Sequence, residues 1–166
     1  ADFVKEHLDR GLIDFGVVYG PVNSEIYSSM KLPDQDTWGV LMRKDSPLAQ
    51  KEVIVPRDLW NQPLILSAQK HDAGPIANWI KQDLSKLKVV ASYNLVFNAS
   101  LLVDEGLGYA ICLDKLINVS GDSNLCFRPL EPMMIAEASV IWKRYQVFSK
   151  AADCFLNALK QSLCFA

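Results

Sequence analysis

The sequence predicts an α/β protein, and three observations carry that reading. Short β-prone runs alternate with segments of helical periodicity along the whole chain, the pattern of a parallel or mixed sheet with helices on its faces. The stretch from Asn94 to Leu113 holds such an alternation in twenty residues. Leu95, Val96, Ala99, Leu102 and Val103 recur at helical spacing, Gly106 stands where a helix stops, and Tyr109 to Leu113 is β-prone. Finally, 166 residues, half of them apolar, are enough to bury a sizeable core in one domain or two small lobes.

Taken in order, Phe3 to Arg10 reads as a helix that Gly11 ends, and Ile13 to Tyr19 as a strand broken by Gly20-Pro21. Ile26 to Leu32 is a second extended run, closed by Pro33-Asp34, and Thr37 to Arg43 a third. Ser46-Pro47-Leu48-Ala49 makes a turn, Pro56 to Trp60 a helical turn with proline near its first position, and Pro63 to Ser67 a buried strand. Asp72 is placed to cap a helix running to about Leu84, with Pro75 in its first turn and Ile76, Trp79, Ile80 and Leu84 on one face. A strand over Lys88 to Tyr93 precedes the helix and strand already described. Leu113 to Ile117 reads as a short helix, Leu125 to Leu130 as extended, Glu131-Pro132 as a break, and Ala138 to Lys143 as a strand. Ser149 caps a last helix to Phe165, whose buried stripe is Ala152, Phe155, Leu156, Leu159 and Leu163. The central core is expected to include Trp38, Leu66, Trp79, Ile80, Leu102, Val103 and Ile111.

Composition narrows the function classes. Seventeen basic residues against nineteen acidic ones give a formal charge of −2 without long blocks, whereas a nucleic-acid-binding domain carries a basic face. This segment is therefore not expected to grip DNA. Apolar runs such as Leu64 to Leu66 fall far short of the roughly 20 residues that span a bilayer, so no membrane association is expected. Cys112, Cys126, Cys154 and Cys164 form no Cys-x-x-Cys pair and read as buried free thiols. His7 and His71 have no helical His partner, so neither a metal site nor a cofactor is expected. Two glycines after a helix, Gly106 and Gly108, are packing punctuation; a phosphate loop would place them before one.

Leu12-Ile13-Asp14-Phe15-Gly16, Ser46-Pro47-Leu48-Ala49, the helix ending in Gly106-Leu107-Gly108, and Ile141-Trp142-Lys143 occur in that order. Together they make the chain resemble, over nearly its whole length, the effector-binding domain of LysR-type transcriptional regulators. The resemblance implies a two-lobe, type 2 periplasmic-binding-protein-like fold with two hinge crossings. Residues 37–134 would form lobe II, and residues 1–36 and 135–166 the hinge crossings with lobe I. It further implies that the family's winged helix-turn-helix, linker helix and first strand-helix-strand precede Ala1, leaving lobe I incomplete. The family's pairing surface would lie in that preceding part, so Ile13 to Val18 and the stripe of Phe155, Leu156 and Leu159 would lose cover.

Open α/β sheets bind ligands beyond the carboxyl ends of strands, where helix N-termini favour anions. Three places qualify, and all match positions where the family lines its effector cleft: Tyr19-Gly20-Pro21, Ser67-Ala68-Gln69, and Asn94 with Phe97 and Asn98. Each has a plainer role as well: Asn94 as a helix cap, Ser67 and Gln69 as loop polars, Tyr19 as packing under a hinge, Phe97 as core. Lys70 and His71 suit an anion, or simply solvent. There is no Gly-x-Ser-x-Gly elbow and no Walker loop, so catalysis is not expected. The expected function is that of a cytoplasmic sensor that binds a small anionic metabolite between its lobes. DNA contact and homo-oligomer formation would belong to the full-length regulator. A transporter's stand-alone solute-binding protein and an enzyme on the same fold are the rival readings.

Overall fold

A computed structural model describes residues 2–164, apart from the side chains of residues 70–73, 84 and 164. The expectations for Lys70, His71, Leu84, Cys164 and Phe165 as ligand or packing groups lie outside the described residues. In chain order the elements are α1 (Asp2–Asp9), β1 (Gly16–Tyr19), β2 (Tyr27–Arg43), α2 (Pro56–Leu59), β3 (Leu64–Ser67), α3 (Lys70–Ile80), β4 (Val89–Tyr93), α4 (Val96–Asp104), β5 (Tyr109–Leu113), β6 (Leu125–Pro129), β7 (Ile135–Lys143) and α5 (Lys150–Cys164). The chain divides into unit 1, Ala1–Gln35 with Glu137–Ala166, and unit 2, Asp36–Ala136.

In unit 1, β1 pairs antiparallel with β7, Gly16 opposite Ile141 and Tyr19 opposite Ala138. Leu8 of α1 packs with Val18, Tyr27 and Ile141 in a small core. Gly11 ends α1 as the sequence predicts: its φ is +67°, and Leu12 N–H reaches back to the His7 carbonyl at 2.9 Å. A second apolar group gathers Phe15 against Trp142, Phe148 and Phe155, with ring centroids 6.3, 5.1 and 5.0 Å away.

Unit 2 holds a five-stranded mixed sheet in the order β6-β2-β5-β3-β4. Both β5 and β6 run antiparallel to β2, whereas β3 pairs parallel with β4 and β5. One sheet face carries Leu41, Ile65, Ala110, Cys112 and Leu125, which pack with Ala99 and Val103 of α4. Alternation along a strand puts Val40, Leu64 and Ile111 on the other face, and they are equally buried, so both faces are covered. Gly106 closes α4 at φ +77°. Gly108 is needed for a different approach: a Cβ there would stand 2.4 Å from the Pro63 carbonyl oxygen, the same oxygen that accepts Tyr109 N–H at 2.8 Å. The tight packing is therefore of β5 on the entry to β3.

Several local expectations fail, each for a physical reason. Pro33 does not break β2, which runs for 17 residues, because proline suits an extended chain wherever its missing N–H is not needed for pairing. Helix α3 starts before Asp72, since the Ser67 hydroxyl accepts Gln69 N–H at 3.2 Å and turns the chain early. Gln69 takes the N-cap position, Pro75 falls inside the helix, and Lys81 in the left-handed region (φ 54°) ends it short of Leu84. Leu95, not Asn94, is the N-cap of α4. Leu113 to Ile117 is no helix: Asp114 is tied to Thr37 by two hydrogen bonds of 2.9 Å, and Lys115 turns left-handed at φ 61°. The first strand begins only at Gly16. Of the expected core, Trp38, Trp79, Ile80, Val103 and Ile111 are buried, whereas Leu66 and Leu102 are half-buried. Leu95, Phe155 and Cys154 are exposed, against the buried roles read for them, although one side of the Phe155 ring packs against Phe15.

Candidate functional site

The candidate edge in unit 2 follows from the pairing of β3 with β4. These strands are parallel with Ser67 opposite Tyr93, so their carboxyl ends finish side by side. Ala68 N–H extends the ladder one step further, to the Tyr93 carbonyl at 2.8 Å. Helix α3 leaves from the first strand end and α4 from the second. The β3-α3-β4 connection moves one way across the sheet, and β4-α4-β5 returns past β3 to its other side. With right-handed crossovers the two helices lie on opposite faces, which opens the sheet between those two strand ends.

Ser67, Ala68, Gln69, Asn94, Phe97 and Asn98 are thus brought to one end of one sheet. Ser67 is half-buried and directs its oxygen to the Gln69 amide, leaving its O–H to donate. Asn94 and Asn98 are exposed, the latter in the first turn of α4. Phe97 is 63% exposed, so it is a rim residue and not part of the core. Neither α3 nor α4 has a side-chain N-cap hydrogen bond. Their first backbone N–H groups and helix dipoles therefore favour an anion. Tyr93, which the sequence did not single out, anchors this edge: its hydroxyl crosses to donate to the Ile111 carbonyl at 2.8 Å. Tyr19, Gly20 and Pro21 belong to unit 1, where Tyr19 ends β1 and Gly20 turns the chain at φ +84°.

These groups are hydroxyls, amides and backbone N–H donors, which bind and orient but do not exchange protons near neutral pH. Thiol chemistry is suppressed at Cys112, whose pKa burial pushes up to about 12. Among the described residues no group of His, Cys, Asp and Glu is arranged to hold a metal ion. No helix there is long and apolar enough to cross a membrane.

A separate groove of about 410 Å³ lies wholly within unit 2, lined by Pro75, Asn78, Trp79, Lys81, Pro132 and Met134. The sequence did not announce it. The indole N–H of Trp79 donates to the Pro132 carbonyl at 2.7 Å, joining α3 to a segment 53 residues away that no local pattern links to it.

The family model described as the LysR substrate binding domain matches residues 1–164. A curated relative, an uncharacterized HTH-type transcriptional regulator YvbU of Bacillus subtilis (strain 168), is 26% identical over 161 residues, covering 95% of this chain and 53% of its own length. The chain thus spans about half the length of the curated relative it matches. Among solved structures, the LysR family regulator HinK of Pseudomonas aeruginosa aligns with a TM-score of 0.78 at 15% identity, over 98% of this chain and 57% of that one. The C-terminal domain of a probable LysR family regulator from Rhodococcus sp. RHA1 gives 0.78 at 18%, over 96% and 80%. The CcmR regulatory domain of Synechocystis PCC6803, solved in complex with 2-PG, gives 0.78 at 17%, over 95% and 76%. At these identities the structural likeness establishes the fold, a mixed α/β, periplasmic-binding-protein-like architecture, and the family match establishes kinship: this chain belongs to the LysR substrate-binding domain family.

Proposed function

We propose that this chain is the ligand-sensing part of a LysR-type transcriptional regulator and that it binds a small anionic metabolite. The contacts in this reading are Ser67, Ala68, Gln69, Asn94, Phe97 and Asn98 of unit 2. One observation carries it: two neighbouring parallel strand ends each feed a helix without a side-chain cap, so two sets of N–H donors share one edge. The CcmR regulatory domain, which shares this fold, was solved in complex with 2-PG, and this supports a ligand-binding role. Ligand binding shifts the geometry of the domain only by its differential affinity for two states, and a DNA-binding domain elsewhere in the regulator reads that shift. DNA contact, homo-oligomer formation, a cytoplasmic setting and the absence of catalysis are parts of the same reading.

The test is a thermal-shift screen of the 166-residue chain with small carboxylates and phosphorylated acids, 2-PG included. A true ligand at a hundred times its Kd raises the midpoint by about 5–10 °C. Asn98→Asp is the informative variant, because a carboxylate in the first turn of α4 suits the helix dipole yet repels an anionic ligand. It should keep or raise the unliganded midpoint and weaken the acid-induced shift at least about tenfold in concentration. A shift that survives in both Asn98→Asp and Ser67→Ala places the ligand elsewhere, and a response confined to neutral compounds overturns the anionic class.

A further inference from the structure

The groove on unit 2 has walls of one chemical kind and a rim of another. Pro75, Asn78 and Trp79 stand at i, i+3 and i+4 on α3 and so share a face of the helix. Pro132 and Met134 form the opposite wall. Two proline rings, an indole and a thioether present flat, polarizable surfaces that suit an aromatic ring. Asn78 and Lys81, both exposed, complete the lining, which includes no acid. A volume of about 410 Å³ lies in the range of small-molecule sites and admits a molecule of one or two rings.

Its place in the fold separates it from the edge at β3 and β4. Lys81 follows the last residue of α3, whereas the candidate edge adjoins the first, and the helix has eleven residues. At 1.5 Å of rise per residue the groove begins at Pro75, about 7.5 Å along the axis from Lys70, and ends at Lys81, about 16 Å from it. The groove also touches the chain's second passage between units. Met134 accepts Trp38 N–H on its carbonyl at 2.9 Å, one residue before β7 begins, and unit 2 ends at Ala136. Trp79 already holds α3 against Pro132 through its N–H, so a ring inserted beside it would brace the same helix against the same segment.

We propose that this groove is a second ligand site that takes a small aromatic carboxylate, its ring against Trp79, Met134 and the two prolines and its carboxylate on Lys81 and Asn78. The site is independent of the anion edge, and either stands if the other fails. Its location on the segment that enters β7 gives a bound ligand a route to regulation.

The groove has a built-in reporter, because Met134 is one of only four methionines, with Met30, Met42 and Met133. With methyl-labelled methionine in the 166-residue chain, benzoate, benzyl alcohol and benzylamine are titrated, and Met134→Leu assigns the signal. Benzoate should shift the Met134 methyl saturably, with a Kd on the order of 1 mM for a single ring, and leave buried Met42 unmoved. Benzyl alcohol should bind about fivefold more weakly, the worth of one exposed charge contact. Lys81→Glu, at an exposed position, should reverse the order so that benzylamine binds better than benzoate. Asn78→Phe, also exposed, should fill the groove and remove the Met134 response to all three. No saturable Met134 shift, equal shifts at all four methyls, or an order unchanged by Lys81→Glu would overturn the proposal. A Met134 shift that follows protein concentration with no compound present would overturn it in favour of a second copy of the chain as the occupant.

Discussion

The two units reach their stability by different means. In unit 2, β2, β5 and β3 lie inside the sheet, and both faces of these strands are buried, from Leu41 and Ile65 on one side to Val40, Leu64 and Ile111 on the other. In unit 1, β1 pairs with β7 alone among the described residues, and alternate side chains divide between a buried Val18 and a Val17 that is 55% exposed. Its small core is supplemented by polar ties between distant segments. Tyr27 O–H donates to Asp9 at 2.8 Å, Lys143 Nζ to the Asp9 carbonyl at 3.1 Å, and Arg144 to the Ser24 carbonyl at 2.7 Å. The difference teaches that an alternating α/β pattern gives a deep core only where the sheet is wide enough to be covered on both faces; elsewhere hydrogen bonds across loops take a larger share.

The largest effect is expected in the strand interiors. Ile65→Ala, at a site with no exposure and in contact with α4, should cost about 2–5 kcal/mol by urea unfolding. Val17→Ala should cost less than about 0.5 kcal/mol. A cost at Val17 that matched Ile65 would mean that unit 1 is covered in solution by something further.

A middle-sized effect is expected at the two glycines that precede β5. Gly108→Ala drives a methyl group onto the Pro63 carbonyl and should cost about 1–3 kcal/mol. Gly106→Ala meets nothing within 4 Å, so only its left-handed φ of +77° opposes it, at about 1 kcal/mol. Equal costs at the two glycines would show that backbone strain, and not the close approach to Pro63, governs both.

The smallest effect tests the polar ties of unit 1. Tyr27→Phe removes one hydrogen bond, while the exposed Asp9 carboxylate regains water, so about 1 kcal/mol should be lost. Burial of the ring raises the Tyr27 pKa to about 12, with the Asp9 hydrogen bond and charge acting in the same direction. The folded state therefore holds this proton more tightly than the unfolded state. Its contribution is complete below pH 10 and is lost as pH rises toward 12. The difference in unfolding midpoint between wild type and Tyr27→Phe should shrink across that window. A difference constant from pH 9 to pH 12 would remove the burial and the Asp9 bond as its cause.

Much of the fold could be read from local pattern. The run Tyr109 to Leu113 is a strand with the predicted limits, Gly106 and Gly11 end their helices at positive φ, and Ser149 accepts the Ala152 amide at 3.2 Å in the first turn of α5. These succeed because their causes lie within a few residues. Helix starts at Gln69 and Leu95 were misread because capping preferences name the residue that fits best, while the chain's path out of β3 and β4 decides which residue stands there. For the same reason Asn94 reads as a cap and is found one residue too early.

By itself the sequence determined the class of the fold, the residues of most strands, and the family, because hydrophobic periodicity, turn chemistry and motif order are all written along the chain. Only the tertiary structure decided which of those segments became neighbours. It set Ser67 opposite Tyr93, so that two strand ends share one edge, and it brought Trp79 to Pro132 to make the wall of a groove. Strand order, register and cavity shape arise from contacts between residues dozens of positions apart, and their free energy depends on packing in three dimensions that no local window contains.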